Sequence, residues 1–439
     1  MKTLTRSAFL KNSAAAAGAL AVPNGLLAER RAPAFLSGAR KTVNFWSFSN
    51  TRTGWQQKAW ALYQKRKQPD FDINWVILPY NQMHDKVMIA GQAGSGGPDI
   101  ADIEISQFGR FIKGEVIFVD LTPRLEKIGA LNNLYRPSAT DPWSWKGRVY
   151  GLGNELNTCL LSYRWDIWKK AGVTTPIKTW DEFVDQATRY HRDTGKYLID
   201  FPFNDWGSWW MLTLQQGGGF FGPDGQLTFN SPKGLKTLAF MQNAIKDRWA
   251  MLRAPGQTSY NAALSSGTVS CMLGPAWDFS GFVQQNLAQT KGRWHLQPFP
   301  AWTRGGSRTA TWGGTGVTVL KASPMAEEAA DFVVWEHTTT EAVLFDYEAR
   351  QTWPTWRPAF KNPRFSQPIA FFDNQRVGQI IQQVSAGINR WYNSPFWPET
   401  TDAFVRKALT PTLLNNAPPA AALKAAQRDA TNIIRFETA

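Results

Sequence analysis

In the first part of the chain, the spacing of apolar residues switches repeatedly between a pattern typical of strands and one typical of helices. Short apolar or alternating runs at residues 43–48, 72–78 and 99–103 are typical of β-strands, whereas residues 54–67 and 82–91 carry apolar side chains at helical spacing. This order of strand, helix, strand, helix, strand predicts a parallel sheet connected by right-handed crossovers. The fold is therefore predicted to be of the α/β class.

The same two periods continue further along the chain. Residues 145–152 predict a hairpin and residues 156–163 a strand, and the sequence TWDE at 179–182 is a capping box that begins a helix. Another strand is predicted at 317–320 with a helix behind it, and the chain reads as mostly helical from about residue 373. Strands and helices thus alternate until a helical C-terminal part.

Length and composition describe a globular protein with more than one lobe. The chain has 439 residues, of which 43% are hydrophobic and 19% are charged. A chain of this length exceeds what one compact core accommodates, so two or three lobes are predicted. No apolar stretch in the sequence reaches the roughly 18 residues that a membrane-spanning helix needs.

The formal net charge of +14 raises the question of an anionic partner. Nucleic acid, a membrane surface or an acidic substrate would each suit a basic chain. Lysine and arginine are spread along the sequence, however, without an arginine-rich tract or a nucleic-acid-binding motif. A solvated basic surface is therefore favoured and no nucleic-acid partner is expected, while an acidic ligand in contact with Arg52 stays open.

Residues 1–40 predict an export leader. A basic start is followed by an alanine-rich run at 14–22 and by small residues at 32–34. Residues 5–11 resemble the twin-arginine export motif, with Ser7 where the second arginine is expected, so the export route and cleavage site stay undecided. No cysteine follows the run, which argues against a lipoprotein anchor. We expect a periplasmic or other extracytoplasmic location.

The two cysteines, Cys159 and Cys271, both lie in apolar runs that resemble strands. Two buried thiols are the favoured interpretation, and a disulfide between them is the alternative in an oxidising compartment. The sequence has no CxxC or Cys/His spacing of the kind that binds zinc. We therefore expect neither a metal site nor a cofactor.

Tryptophan is unusually frequent, with 22 residues in the chain. Many of them lie beside Gly, Pro, Asn or Asp, where a strand runs into a loop. Such a side chain presents a flat apolar face and one N–H donor, and the C–H face of a sugar ring can stack on it. Core packing is the alternative for each single tryptophan, but the set favours a carbohydrate-binding surface. The residues concerned are Trp46, Trp206, Trp209, Trp210, Trp277, Trp312 and Trp397.

Five segments resemble, in the right order, motifs of one protein family. They are VNFWS at 43–47, GGPDI at 96–100, KGRVYGL at 146–152, GTVSCMLGPAW at 267–277 and GGTGVTV at 313–319. Each motif alone is weak, but their order over almost the whole chain after residue 42 is specific. The chain resembles the family-one extracellular solute-binding proteins of ABC importers, and within them the sugar-binding branch that includes maltose-binding protein.

This resemblance implies a type II periplasmic-binding-protein fold: an α/β protein of two discontinuous lobes with a hinge and an interlobe ligand cleft. The N-terminal lobe would comprise 41–153 with 299–357, and the C-terminal lobe 154–298 with 358–439. The implied partners are a sugar or oligosaccharide ligand and the subunits of an ABC permease. A monomer is implied, which contacts the membrane only through the permease or an uncleaved leader.

Candidate ligand contacts are the side chains that follow the predicted strands, because ligands of open α/β sheets bind at the carboxyl ends of strands. Glu155 in addition matches a glutamate that contacts ligand in the family. The polar candidates are Ser49, Asn50, Arg52, Glu104, Gln107, Glu155, Asp205 and Asp278. The remaining candidates are Trp206, Trp209, Trp277, Trp312, Gly313 and Trp397.

An enzyme is the main alternative to a binding protein. A secreted glycoside hydrolase would use two carboxylates, for example those of Glu104 and Glu155. The sequence has no nucleophile elbow, phosphate-binding loop or dinucleotide fingerprint, and its four histidines stand alone. The sequence therefore predicts that the ligand is bound and not chemically changed.

Overall fold

The chain builds a five-stranded and a three-stranded β-sheet and two further pairs of strands, with helices packed around them. The computed structural model describes residues 40–253 and 257–438, so the predicted leader, apart from Arg40, lies outside the described residues. The strands are β1 Lys41–Ser47, β2 Phe71–Ile77, β3 Ile100–Glu104, β4 Ser144–Trp145, β5 Arg148–Val149, β6 Gly151–Gly153, β7 Leu160–Arg164, β8 Ile199–Pro202, β9 Ala250–Arg253, β10 Cys271–Gly274, β11 Trp294–Gln297 and β12 Thr315–Val319. The helices are α1 Asn50–Lys67, α2 Tyr80–Ala93, α3 Thr122–Lys127, α4 Arg136–Ala139, α5 Trp165–Lys170, α6 Trp180–Thr194, α7 Gly207–Gln215, α8 Pro232–Lys246, α9 Gln257–Ser265, α10 Gln284–Asn286, α11 Ala326–Thr338, α12 Thr340–Arg350, α13 Val377–Ser385, α14 Trp397–Phe404, α15 Thr410–Asn415 and α16 Pro419–Thr438.

The first sheet has the strand order β2-β1-β3-β12-β6. β1 is parallel to β2 and to β3, which confirms the parallel arrangement predicted for the first three strands. β12 is antiparallel to both of its neighbours, β3 and β6, so the sheet as a whole is mixed. The periodicity alone did not predict this antiparallel strand, because β12 enters the sheet from a distant part of the sequence.

The second sheet and the strand pair of β8 and β9 bring the carboxyl ends of three strands together. β7 lies between β10 and β11 and is antiparallel to both. β8 and β9 form a parallel pair, and a parallel bridge between Tyr197 and Val269 places the chain leading into β8 beside the chain leading into β10. β8, β9 and β10 therefore run in the same direction and end near one another.

Helix α1 begins four residues before its predicted start at residue 54. Ser49 has an extended backbone, and its Oγ accepts a hydrogen bond from the backbone N–H of Arg52 at 3.5 Å. Such an N-cap satisfies one of the amides that a helix leaves free at its start. The helix therefore begins at Asn50, and polar residues that were predicted to lie in a loop belong to its first turn.

The chain passes between the two sheets along neighbouring segments. After β6 the backbone N–H of Leu156 donates to the carbonyl of Trp353 at 2.7 Å, and that of Cys159 donates to Ala310 at 2.9 Å. These bonds place the segment between β6 and β7 beside the segments that precede β12 and follow α12. The first sheet is thus completed by β12, after the chain has built the second sheet.

The C-terminal helices contact elements from both halves of the sequence. α16 packs on α14 and α8, and α14 packs on the short helical segment Phe108–Ile112 that follows β3. At Gly109 an added Cβ would lie 2.4 Å from the carbonyl oxygen of Ser394, so this approach requires glycine. From Lys41 onward the chain clusters into one compact unit.

The two cysteines are free thiols, which confirms the favoured interpretation and not the disulfide. Cys159 and Cys271 are both buried, and burial raises the pKa of each thiol above its ordinary value. Among the described residues no group of three or more His, Cys, Asp or Glu side chains could hold a metal ion. No helix within the described ranges is long and apolar enough to cross a bilayer.

Candidate ligand-binding site

A cavity of about 290 Å³ lies where β8, β9 and β10 end. Its volume is close to the lower end of the range of small-molecule sites, about 300–1,000 Å³. Four predicted site residues, Asp205, Trp277, Asp278 and Trp312, line it. The other lining residues are Ile199, Asp200, Pro202, Ser208, Met211, Arg253, Tyr260, Met272, Leu273 and Phe282. We call this cavity the inner pocket.

Two half-buried tryptophans form one wall of the inner pocket. The ring centroids of Trp277 and Trp312 lie 5.3 Å apart at an angle of 45°. Trp277 Nε1 donates to the carbonyl oxygen of Trp312 at 3.3 Å, which holds the ring in place beside the cavity. At Gly313, whose φ is +70°, an added Cβ would lie 2.8 Å from Trp277 Nε1, so the close approach requires glycine.

The charged residues that line the inner pocket are mostly acidic. Arg253, the last residue of β9, lies 3.1 Å from Asp200 Oδ2, measured from its Nε, and its guanidinium is 4.4 Å from the centre of the Tyr260 ring. Asp205 follows β8, and its Oδ1 accepts a hydrogen bond from the backbone N–H of Gly207 at 2.7 Å. Carboxylates, a guanidinium and aromatic faces together suit a ligand that is rich in hydroxyl groups.

Asp278 lines the inner pocket, and its carboxyl group has no hydrogen-bond partner among the described residues. Asp278 is 7% exposed, so this carboxyl group is buried. Burial raises the pKa of Asp278 to about 7; Arg253 partly offsets the increase, whereas Asp205 and Asp200 add to it. Burial likewise raises the pKa of Asp200 to about 6, against the opposing effect of Arg253.

Arg52 and Glu155 lie in a buried ion-pair network and not in the inner pocket. Arg52 bonds Asp102 at 3.0 Å and Glu155 at 2.8 Å, and Arg350 bonds Glu155 from the other side. Burial alone would lower the pKa of Arg52, but the two carboxylates raise it above its ordinary value. Burial opposes ionisation of Glu155, yet Arg350 and Arg52 lower its pKa. All these charges are therefore used within the fold.

Apart from the exposed Asn50, the other polar candidates near the first sheet also have partners within the fold. Glu104 Oε2 accepts from the Tyr80 hydroxyl and from the backbone N–H of Ser106, both at 2.9 Å, and burial raises its pKa. Gln107 accepts from Arg110 at 3.0 Å. Two candidates occupy the start of α1: Ser49 caps the helix, and Asn50 is exposed. The inner pocket contains none of these side chains.

Trp209 and Trp397 are core residues. Trp209 is fully buried, and its Nε1 donates to the carbonyl oxygen of Gly234 at 3.1 Å. Trp397 is 2% exposed and packs edge-on against Trp206 and Trp210 at ring distances of 5.8 and 5.2 Å. Trp206 is half-buried and links this aromatic cluster to Trp312, 6.5 Å away. For Trp209 and Trp397, core packing is therefore the observed environment.

Three titratable residues that line the inner pocket, Asp200, Arg253 and Tyr260, were not predicted by the sequence analysis. Asp200 and Arg253 lie on β8 and β9, which were not predicted as strands, and Tyr260 lies on α9. The signal that was present is the apolar-polar alternation around Asp200, in the sequence LIDFPF at 198–203. Without β8 and β9, the carboxyl ends that form the floor of the pocket could not be located.

Comparison with known proteins supports the family suggested by the motifs. The sequence profile described as bacterial extracellular solute-binding protein matches residues 47–335. The chain is 33% identical over 307 residues to an arabinooligosaccharide-binding protein of Bacillus subtilis (strain 168), covering 68% of this chain and 70% of that one. It is 26% identical over 407 residues to an arabinooligosaccharide-binding protein of Halalkalibacterium halodurans, covering 89% of both.

Solved structures show the same fold. The binding protein associated with an ABC transporter of B. animalis subsp. lactis, solved with β-1,6-galactobiose, aligns with a TM-score of 0.71 at 22% identity, over 90% of this chain and 98% of that one. This likeness confirms the predicted type II periplasmic-binding-protein fold. The family consists of binding proteins for ABC transporters and not of enzymes. The chain belongs to the bacterial extracellular solute-binding proteins.

Proposed function

We propose that this chain is the substrate-binding protein of an ABC importer, which captures a sugar or oligosaccharide outside the cytoplasmic membrane and delivers it to the permease. The observation that carries the proposal is the inner pocket, which Trp277 and Trp312 line together with the buried carboxyl group of Asp278. Because two relatives are named for arabinooligosaccharides, an arabinose-containing oligosaccharide is the first candidate ligand.

The proposed binding mode uses both the aromatic and the charged residues of the inner pocket. A sugar ring stacks its C–H face on Trp277 while its hydroxyl groups bond Asp205, Asp278 and Arg253. A sugar in a closed site loses water from every hydroxyl, so each must find a partner, and a bond to a charged group is worth about 1.5–3 kcal/mol. The cavity of about 290 Å³ takes only part of a longer oligosaccharide, and the remainder extends out of it.

The lobe boundaries are part of the same proposal. We assign 41–153 and 299–357 to an N-terminal lobe and 154–298 and 358–439 to a C-terminal lobe. The neighbouring connections at Leu156 with Trp353 and at Cys159 with Ala310 support a hinge between them. A monomeric protein with a cleaved or uncleaved leader would then close on its ligand and present it to the permease.

The glycoside-hydrolase alternative has weaker support. Glu104 accepts hydrogen bonds from Tyr80 and Ser106, and Glu155 is held between Arg52 and Arg350. Neither carboxyl lines the inner pocket. A hydrolase needs one carboxyl as an acid and one as a base or nucleophile across the same glycosidic bond. We therefore propose that the ligand leaves the protein unchanged.

The test is a thermal-stability screen of the mature protein with arabinooligosaccharides, galactobiose, maltose and acidic saccharides. A ligand at a hundredfold over its dissociation constant should add about 2.7 kcal/mol of stability. Chromatography after prolonged incubation should recover the ligand intact. Hydrolysis products would contradict the binding-protein proposal, and so would the absence of stabilisation by every saccharide in the screen.

A further inference from the structure

The inner pocket carries more negative than positive groups, although the chain as a whole is strongly basic. Asp200, Asp205 and Asp278 line the pocket, whereas Arg253 is the one guanidinium or ammonium group among the described lining residues. Arg253 already lies 3.1 Å from Asp200, so its charge is shared with that carboxylate. A ligand with a carboxylate of its own would meet an acidic surface here.

Asp278 has the geometry of a ligand contact. The side chain is 7% exposed, faces the cavity and has no hydrogen-bond partner among the described residues. At Gly274 an added Cβ would lie 2.6 Å from Asp278 Oδ2, so the glycine leaves room for the carboxyl group beside the end of β10. Buried polar side chains in folded proteins nearly always have a partner. Asp278 is therefore placed to receive its hydrogen bond from outside the chain.

Charged and titratable groups approach Asp278 from several elements. Asp200 and Asp205 come from β8 and the loop behind it, Arg253 from β9, Tyr260 from α9 and Cys159 from the segment before β7. Burial raises the pKa of Asp278 to about 7, which leaves the carboxyl easily neutralised in the free protein. A hydroxyl group that donates to it favours its ionised form.

We propose that Asp278 is the specificity-determining residue of the inner pocket: its carboxylate accepts a hydroxyl of a neutral sugar ring held beside Trp277, and with Asp200 and Asp205 it excludes saccharides that carry a carboxylate on that ring. This inference rests on the proposed function and narrows its ligand class. Arg52 was the residue that suggested an acidic ligand. Because it forms ion pairs with Asp102 and Glu155 within the fold, it does not support binding of such a ligand.

The proposal makes binding depend on pH in a stated direction. The hydroxyl bonds the ionised carboxylate more strongly than the neutral acid, because charge-assisted hydrogen bonds are about twice as strong as neutral ones. Binding therefore releases a proton from the fraction of Asp278 that is protonated in the free protein. Affinity for a neutral saccharide should rise as the pH is raised from about 5.5 to about 8, by up to about tenfold.

The experiment is titration calorimetry with arabinotriose, galactobiose and digalacturonate at both pH values. The Asp278→Asn variant should bind the neutral saccharide about tenfold more weakly at the higher pH, with a flat pH dependence. Glu336→Gln is the matched control, because Glu336 is a fully buried carboxyl without hydrogen bonds that lies outside the inner pocket. It should keep the affinity and pH dependence of the unsubstituted protein.

The outcomes separate this inference from the proposed function. The inference is supported if the affinity for a neutral saccharide rises with pH and exceeds the affinity for digalacturonate by at least about tenfold. This comparison uses the unsubstituted protein alone and does not depend on any variant. If a neutral saccharide binds but digalacturonate binds as tightly, or if Asp278→Asn keeps the original affinity and pH dependence, the inference is overturned and the proposed function stands. If none of the saccharides binds at either pH, the proposed function fails and the inference fails with it.

Discussion

Trp277 and Trp397 have similar sequence surroundings and different environments. Each lies next to or near a proline where a loop meets a helix, and both were predicted as ligand contacts. Trp277 is half-buried on the inner pocket, whereas Trp397 is 2% exposed within an aromatic cluster. A stacking platform and a core residue need the same flat apolar ring, so the residue type does not distinguish them.

Replacing Trp277 with Ala should weaken saccharide binding by about 2 kcal/mol, the value for a well-packed aromatic anchor, while the fold is retained. Calorimetry measures the affinity, and thermal unfolding measures the stability. Trp165→Ala is a matched control, because Trp165 is also half-buried and its Nε1 also donates to a backbone carbonyl, that of Gly292 at 2.9 Å. Equal loss of affinity in both variants would contradict the stacking role of Trp277.

The raised pKa values of Asp200 and Asp278 predict how stability depends on pH. Their folded-state pKa values of about 6 and about 7 exceed the ordinary aspartate value of about 3.9. The contribution of these two carboxyl groups to the free energy of unfolding is therefore fully present below about pH 4. It is lost as the pH rises through their folded-state pKa values of about 6 and about 7.

Urea unfolding of the ligand-free protein across this pH range tests that contribution. Asp278→Asn should become more stable relative to the unsubstituted protein as the pH rises, because the amide cannot ionise in its buried site. The comparison between the two proteins removes the contribution of every other titrating group. A stability difference that does not change with pH would show that Asp278 has an ordinary pKa.

At the scale of elements, local sequence patterns predicted where individual strands and helices lie, but they did not predict the contacts between those elements. Strand β1 and helix α6 appear where the apolar period and the capping box place them. The network of Arg52, Asp102 and Glu155 joins α1, β3 and the first connection between the sheets, across separations of 50 and 103 residues. A polar side chain at the start of a helix carries no local sign of such distant partners.

Replacing Arg52 with Met should destabilise the fold by about 3–5 kcal/mol, because it leaves Asp102 and Glu155 buried without their cation. Chemical denaturation gives the free energy of unfolding. Arg66→Ala is the control: Arg66 pairs with Glu341 at the surface, with side chains 41% and 54% exposed, and should cost at most about 1 kcal/mol. Loss of sugar affinity without loss of stability in Arg52→Met would instead indicate a ligand contact.

Trp397, the first residue of α14, should stabilise the packing of this helix through its contacts with the ring of Trp206, which precedes α7, and the ring of Trp210 in α7. Trp397→Ala removes a buried ring and is expected to lower the free energy of unfolding by about 3–5 kcal/mol. Trp397→Phe keeps most of the apolar volume and should cost less. If Trp397→Ala binds sugar more weakly but keeps its stability, Trp397 is a ligand contact and not a core residue.

At the scale of the whole molecule, the arrangement of two sheets with neighbouring connections predicts closure around a ligand. Trp312 lies on the connection that leads into β12, and it lines a pocket built otherwise from β8, β9, β10 and the segments around them. A ligand that contacts both of the proposed lobes stabilises the closed arrangement, because only in that arrangement can both lobes contact the ligand at once.

Small-angle scattering of the mature protein should therefore show a smaller radius of gyration with a saturating saccharide than without it. The same measurement with a saccharide that gives no thermal stabilisation serves as the control and should show no change. An unchanged radius with a ligand that does stabilise the protein would count against the two-lobe closure, although binding itself would remain.

By itself, the sequence determined the α/β class and most of the order of the elements, and the motifs it contains indicated the family. The class and the elements depend on hydrophobic period, caps and glycine- or proline-containing turns, which are local properties of the chain. The tertiary structure alone decided which side chains face the ligand. Arg52 and Trp397 turned inward, and Asp200 and Arg253 came to the pocket floor from strands that were not predicted. The facing direction of a side chain depends on neighbours distant in sequence, and no local pattern carries that information.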